Sequence, residues 1–158
     1  MEKEVKIRLA RSEDLKTVQD LNSALFQSDA DKDKYLNHDW PYQDGENYFR
    51  KIISGETGVC FIAEDSTGVV GYLAGCIEVE TPQGFIPTKW AELENMYVKP
   101  EARSLGVGSA LTKEFVTWCK QNKVDRLKVS AYAANTEAIA FYRKNGFKPF
   151  SEDLTIDF

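Results

Sequence analysis

Glu94-Asn95-Met96-Tyr97-Val98-Lys99-Pro100-Glu101-Ala102-Arg103-Ser104-Leu105-Gly106-Val107-Gly108-Ser109-Ala110-Leu111 is the stretch that decides how this chain folds. Its first half reads as a strand, Trp90 to Val98, that stops at Pro100; its second half opens a helix over Leu105 to Asn122. Gly106 and Gly108 fall in that helix's first turn, where backbone N–H groups lack intrahelical partners and point outward. Residues without Cβ atoms let an anion come close to that backbone, and Arg103 adds a fork of donors. Together these are a means of holding a pyrophosphate. The pattern is not a P-loop, which needs Gly-Lys-Ser/Thr where this chain has Gly108-Ser109-Ala110. It fits a dinucleotide fingerprint poorly, because the third glycine would fall at Leu111. A purely structural turn is the alternative reading of the two glycines.

Working outward, Val5, Ile7 and Leu9 alternate with Lys6 and Arg8 as a first strand. A helix starts at Ser12, with Glu13 and Asp14 in its first turn and Leu15, Val18, Leu21, Asn22 and Leu25 on its buried stripe. Residues 28 to 46 read as irregular, and a short helix follows from Glu46 to Ser54. Gly58 to Glu64 and Val69 to Glu80 form a hairpin about Asp65-Ser66-Thr67-Gly68. After the helix that starts near Leu105 come a strand over Arg126 to Ala131 and a helix from Asn135 to Asn145, which Gly146 ends. Phe147 to Phe158 reads as one or two terminal strands. The order predicts a mixed α/β sheet in a single domain over 1-158.

Composition narrows the function. With Lys plus Arg at 20 and Asp plus Glu at 25, the net charge is −5, unlike that of a general nucleic-acid binder. No apolar run reaches the roughly 18 residues of a membrane helix, and the charged start Met1-Glu2-Lys3-Glu4 has no signal-peptide core. Cys60, Cys76 and Cys119 are far apart and sit in apolar segments, which fits reduced thiols in a cytoplasmic protein. His38 is the chain's one histidine, and nothing beside it suggests a zinc site or a serine triad, so no metal is expected. Asp29, Asp31 and Asp33 have an EF-hand-like spacing, but Lys34 stands where its glycine belongs and Trp40 where its closing glutamate belongs.

A second motif, Asn135-Thr136-Glu137-Ala138-Ile139-Ala140-Phe141-Tyr142-Arg143-Lys144-Asn145-Gly146-Phe147, follows the next strand. In this order the two segments resemble the GNAT N-acetyltransferase superfamily. Its central motif is a strand, an apolar–Val–x–Pro turn, then Arg/Gln-x-x-Gly-x-Gly/Ala opening a helix, followed by an Asn-x-x-Ala-x-x-x-Tyr-x-x-x-Gly-Phe helix. The strong match covers residues 90 to 150; Ser104 stands where many members carry glycine. The resemblance implies a mostly antiparallel twisted sheet of six or seven strands flanked by about four helices. It also implies direct acetyl transfer from acetyl-CoA to a primary amine, and a possible homodimer through terminal strands.

On that resemblance, acetyl-CoA lies along Met96, Tyr97 and Val98, along Arg103, Ser104, Leu105, Gly106, Val107, Gly108 and Ser109, and beside Asn135 and Tyr142. Residues 99 to 144 hold nine Lys/Arg and four Asp/Glu inside a chain of net charge −5, a local excess suited to phosphates. The Met96 N–H is the implied oxyanion donor. Tyr142 is the implied acid or thiolate stabiliser, with ring packing as its alternative. An ammonium of pKa about 10.4 must lose a proton before it attacks. Strand alternation would place Glu92, Glu94, Met96 and Val98 on one face, with Glu94 as base, Glu92 as second candidate, and a solvated carboxylate as the alternative.

The segment 28 to 54 is the expected lid. Its acidic excess and its aromatics, Trp40 and Tyr42 with Tyr48 and Phe49, suit a small cationic amine such as a polyamine or an aminoglycoside, with a solvated acidic loop as the alternative. Trp90 is a further candidate for the acceptor pocket. Acetylation of a protein N-terminus or lysine, and a non-catalytic CoA-binding module, are the competing functions.

Overall fold

The computed structural model describes residues 4–78 and 80–158. Met1 to Lys3 of the expected leaderless start, and Val79 of the expected hairpin arm, lie outside the described residues. The elements are β1 (Lys6–Leu9), α1 (Leu15–Ser28), α2 (Asp44–Ile53), β2 (Gly58–Asp65), β3 (Gly68–Ile77), β4 (Trp90–Val98), α3 (Val107–Gln121), β5 (Arg126–Val129) and α4 (Thr136–Lys144). The five strands form one sheet in the order β1-β2-β3-β4-β5. All neighbours are antiparallel except β4 and β5, which run parallel.

Period-two alternation splits the apolar residues of β2 between two cores. Val59, Phe61 and Ala63 join Val107, Leu111 and Phe115 of α3 on one face. Cys60 and Ile62 join Val18, Leu21, Phe49 and Ile52 of α1 and α2 on the other. Phe115 sits so close to the sheet that a Cβ on Gly75 would lie 2.3 Å from its ring, which makes that strand glycine a seat for the helix.

β1 is tied to α1 by charge. Arg8 donates to both oxygens of Asp14, at 2.7 and 3.0 Å, and to Glu64 at 3.0 Å. The Arg11 N–H also donates to Asp14 at 2.7 Å. The helix expected from Ser12 therefore begins as one 3-10 turn, Ser12–Asp14, before α1. The hydrogen bond from Arg8, opposed by burial, holds the Asp14 carboxyl below its ordinary value. A carboxylate with a depressed folded-state pKa adds stability above its unfolded value of about 3.9 and loses it as pH falls through the folded value. Asp14→Asn should cost about 2 kcal/mol at pH 7, and the difference should narrow below about pH 4. Urea melts at pH 7 and pH 3 measure both.

Three expectations are corrected. The sheet has five strands, not six or seven, among the described residues. Phe147 to Phe158 forms no strand, because Pro149 lacks a donor and Phe150 turns its ring onto Trp90 (5.9 Å) and Arg126 (4.8 Å) rather than extending beside β5. Helix α3 starts at Val107 rather than Leu105, which places Gly106 at its N-cap.

Candidate active site

The site is built where β4 leaves β5. The two strands pair from Trp90↔Arg126 to Leu93↔Val129 and no further, so β4 is open on that side from Glu94 onward. On the other side β4 stays paired with β3, but the register slips: Ala74 faces Asn95 and Gly75 faces Leu93, leaving Glu94 as the bulged residue.

The bulge reverses the alternation and corrects the expectation that four side chains share a face. Met96 and Val98 pack with the α3 core, while Tyr97 packs with the α1/α2 core. Glu94 and Asn95 both meet Tyr48 of α2. Glu92 and Glu94 thus lie on the sheet side away from Met96 and Val98. The backbone parity switches as well. Before the bulge the Trp90 carbonyl faces β3, accepting from Glu78 N–H at 2.8 Å. After it the Lys99 N–H faces β3, meeting Val70 at 2.8 Å. Antiparallel alternation then turns the amides of Met96 and Val98 toward the open side.

Across that opening lies the start of α3. Gly106 caps it with φ +80, a left-handed conformation that favours glycine, and its missing Cβ faces open space. Ser104 also has positive φ, at 61, a conformation that glycine adopts at lower cost than serine. Gly108 is small for another reason: a Cβ there would lie 3.1 Å from the Phe141 ring of α4. The first backbone bond into α3 is Ala110 N–H to Gly106 at 2.9 Å, and no protein acceptor meets the amides of residues 104 to 109 among the described residues. Ser104, Leu105 and Gly106 are exposed, Ser109 is half-buried, and Val107 is buried as the anchor of the turn. Arg103 folds back, its Nε donating to the Val98 carbonyl at 2.9 Å and its guanidinium lying 5.3 Å from the Tyr97 ring.

On the α2 side, Glu94 lines a cavity of about 290 Å³ with Tyr48, Lys51, Thr57, Cys76, Ile77 and Glu78. The Tyr48 hydroxyl donates to Glu94 Oε2 at 2.5 Å. Burial, then the Glu94 charge, pushes the Cys76 thiol up to about 12, so it faces the carboxylate as S–H. Glu92 lies outside that lining and pairs with Lys128 at 3.4 Å. Burial raises the Glu92 carboxyl, against the pull of Lys128.

α4 supplies the remaining groups. Asn135 caps it, its Oδ1 accepting the Ala138 N–H at 3.1 Å. Tyr142 packs against the α3-side core and Phe147, and its hydroxyl has no hydrogen-bond partner among the described residues. Burial, followed by Asp29, pushes it up to about 12.

Three aromatics of the expected acceptor site lie elsewhere. Trp40 stacks on Phe26 at 5.9 Å and braces Tyr48 at 5.4 Å. Tyr42 donates to Asp20 at 2.6 Å. Trp90 is buried beneath Arg126, Phe85 and Phe150. None of the three lines the cavity beside Glu94. Tyr48 does; in the sequence it stood among the lid aromatics with no sign of its bond to Glu94.

The model of the acetyltransferase (GNAT) family matches residues 17–147. A Bacillus subtilis (strain 168) protein provisionally named a ribosomal protein bS18-alanine N-acetyltransferase is 22% identical over 149 residues, 94% of this chain and 84% of that protein. Among solved structures, the tetramutant of the BH1408 protein from Bacillus halodurans superposes with a TM-score of 0.86 at 17% identity, covering 97% of this chain and 99% of that one. The aminoglycoside acetyltransferase AAC(6')-Iy, in complex with a bisubstrate analogue, superposes with a TM-score of 0.78 at 17% identity, 98% of each chain covered.

Proposed function

Because the chain belongs to the acetyltransferase (GNAT) family, we propose that this acyltransferase moves an acetyl group from acetyl-CoA directly to the primary amine of a small cationic acceptor. The observation that carries this reading is the pairing of unpartnered amides at residues 104 to 109 with a carboxylate-lined cavity across β4.

The residues present fit the cosubstrate. The amides around Gly106 suit its pyrophosphate. Lys99, Arg103, Lys113, Arg143 and Lys144 form no ion pair among the described residues and suit its phosphates. When bound, acetyl-CoA supplies a thioester carbonyl and a thiolate leaving group. The Met96 N–H, turned into the opening, donates to the carbonyl oxygen as negative charge grows on it. Glu94 takes the proton that the acceptor ammonium must lose.

Tyr142 serves the leaving sulfur. With the phenol near 12 and a thiol near 8.5, complete proton transfer would run about 5 kcal/mol uphill. The hydroxyl therefore stabilises the thiolate by a hydrogen bond and keeps its proton. Tyr142→Phe should lower kcat about 10- to 100-fold with little change in acetyl-CoA affinity. Pre-steady-state thiol release, with calorimetry for affinity, checks it; unchanged turnover removes Tyr142 from the mechanism.

A cationic acceptor is favoured because the cavity lining holds two carboxylates, Glu94 and Glu78, and one basic residue, Lys51; Glu78 is shared with Lys128 at 3.7 Å, and Glu94 forms no ion pair among the described residues. Polyamines and aminoglycosides have that chemistry. The exposed apolar row Leu154, Ile156 and Phe158 supports a homodimer that would cover it. Release of CoA thiol with spermidine, kanamycin or an alanine-terminated peptide tests the function. Peptide turnover alone would favour N-terminal acetylation, and no acceptor-dependent release would favour a CoA-binding module without turnover.

A further inference from the structure

The bulge leaves Glu94 on an exposed turn of β4, and a free glutamate there has three side-chain torsions to sample. Tyr48 removes that freedom. Its ring is wedged between Trp40, at 5.4 Å, and Phe49, at 4.9 Å, both packed in the α1/α2 core. Its oxygen accepts the Asn95 Nδ2–H at 3.1 Å. A phenol carries one hydrogen, and with Asn95 donating into the oxygen that hydrogen is directed to Glu94 Oε2. Asn95 thus orients Tyr48, and Tyr48 orients the carboxylate through Oε2, while Glu94 lines the cavity. Burial, together with the Glu94 charge, raises Tyr48 well above an ordinary phenol, so it stays a donor through the working pH range.

We propose that Tyr48 is a positioning residue: set by Asn95, its hydroxyl fixes one oxygen of Glu94 so that the other meets the acceptor amine. The inference rests on Glu94 being the base. Neither Trp40 nor Phe49 supplies a polar atom to this contact; the Cys76 thiol also faces Glu94, and Tyr48→Phe isolates the share of the phenol hydroxyl.

A double-mutant cycle tests it, using whichever of spermidine, kanamycin and the alanine-terminated peptide turns over fastest. Tyr48→Phe keeps the ring and should lower kcat about 30-fold, the range of a hydrogen bond to a charged group, with the KM for acetyl-CoA unchanged. In the Glu94→Gln background the same change should cost less than about 2-fold, because groups acting as a unit are not additive. Asn95→Ala should show the same coupling with a smaller loss, and it decides the matter if Tyr48→Phe fails to fold by thermal melt. A loss that persists undiminished in the Glu94→Gln background, or that falls on the KM for acetyl-CoA, overturns the role of Tyr48 alone. If Glu94→Gln itself keeps full activity, or no acceptor turns over, the base assignment falls and this inference with it.

Discussion

Glu94→Gln should lower kcat/KM for the acceptor amine about 1,000-fold at pH 7, inside the range that general-base catalysis supplies, and equivalent to about 4 kcal/mol of barrier. Glutamine keeps the length of the side chain and can still accept from the Tyr48 hydroxyl, which now meets Glu94 at 2.5 Å. What it lacks is basicity. The affinity for acetyl-CoA should stay within about 2-fold, because the bulge puts this side chain opposite the Met96 and Val98 face. The pH dependence adds an independent mark. An ammonium of pKa about 10.4 supplies little neutral amine at pH 7 and far more as pH nears 10, so the variant should recover relative to the parent as pH rises. Initial rates from pH 7 to 10 measure the convergence. Full activity at pH 7 would move the base elsewhere, with Glu92 next, although Glu92 pairs with Lys128 and lies outside the cavity lining.

That variant depends on a feature the sequence hides. Alternation along Trp90 to Val98 locates the strand correctly but fails at its functional centre, because one extra residue at Glu94 shifts every later side chain to the opposite face. Residue type alone does not place the bulge: Asn95, the residue after it, is uncommon in strands, but that does not reveal an extra residue at Glu94. The elements that follow local rules were legible. The hairpin about Asp65 to Gly68 closes as its composition predicts, with Asp65 accepting from the Thr67 N–H at 2.7 Å and Gly68 at φ +117. Asn135 caps α4 as its position implies. Long-range partners were not legible. Tyr48 and Glu94 stand 46 residues apart, and only the packing of α2 on the sheet brings them together. The terminal segment failed for the converse reason: Leu154, Thr155, Ile156, Asp157 and Phe158 alternate like a strand, but pattern does not supply the neighbouring backbone that makes a ladder.

Under the proposed function the phosphates are held by the turn at Gly106, and Gly106→Val should raise the Kd for acetyl-CoA about 100-fold, close to 3 kcal/mol. Gly106 has φ +80, and nothing lies within 4 Å of where its Cβ would be. The substitution therefore meets no clash, and its whole effect is conformational: a β-branched residue is held out of the left-handed region. Val107, Leu111 and Phe115 anchor α3 in the core, so the helix keeps its place. The exposed turn from Arg103 to Gly106 is what yields, and the unpartnered amides of that turn change direction. Gly84 provides the control. It has φ +89, is equally free of neighbours, and sits in the loop between β3 and β4. Gly84→Val should bring a similar backbone strain, visible in a thermal melt, and leave acetyl-CoA binding as it was. Calorimetric titration of both variants separates strain from recognition: equal affinities would mean that the turn at Gly106 is structural and that the diphosphate is held elsewhere.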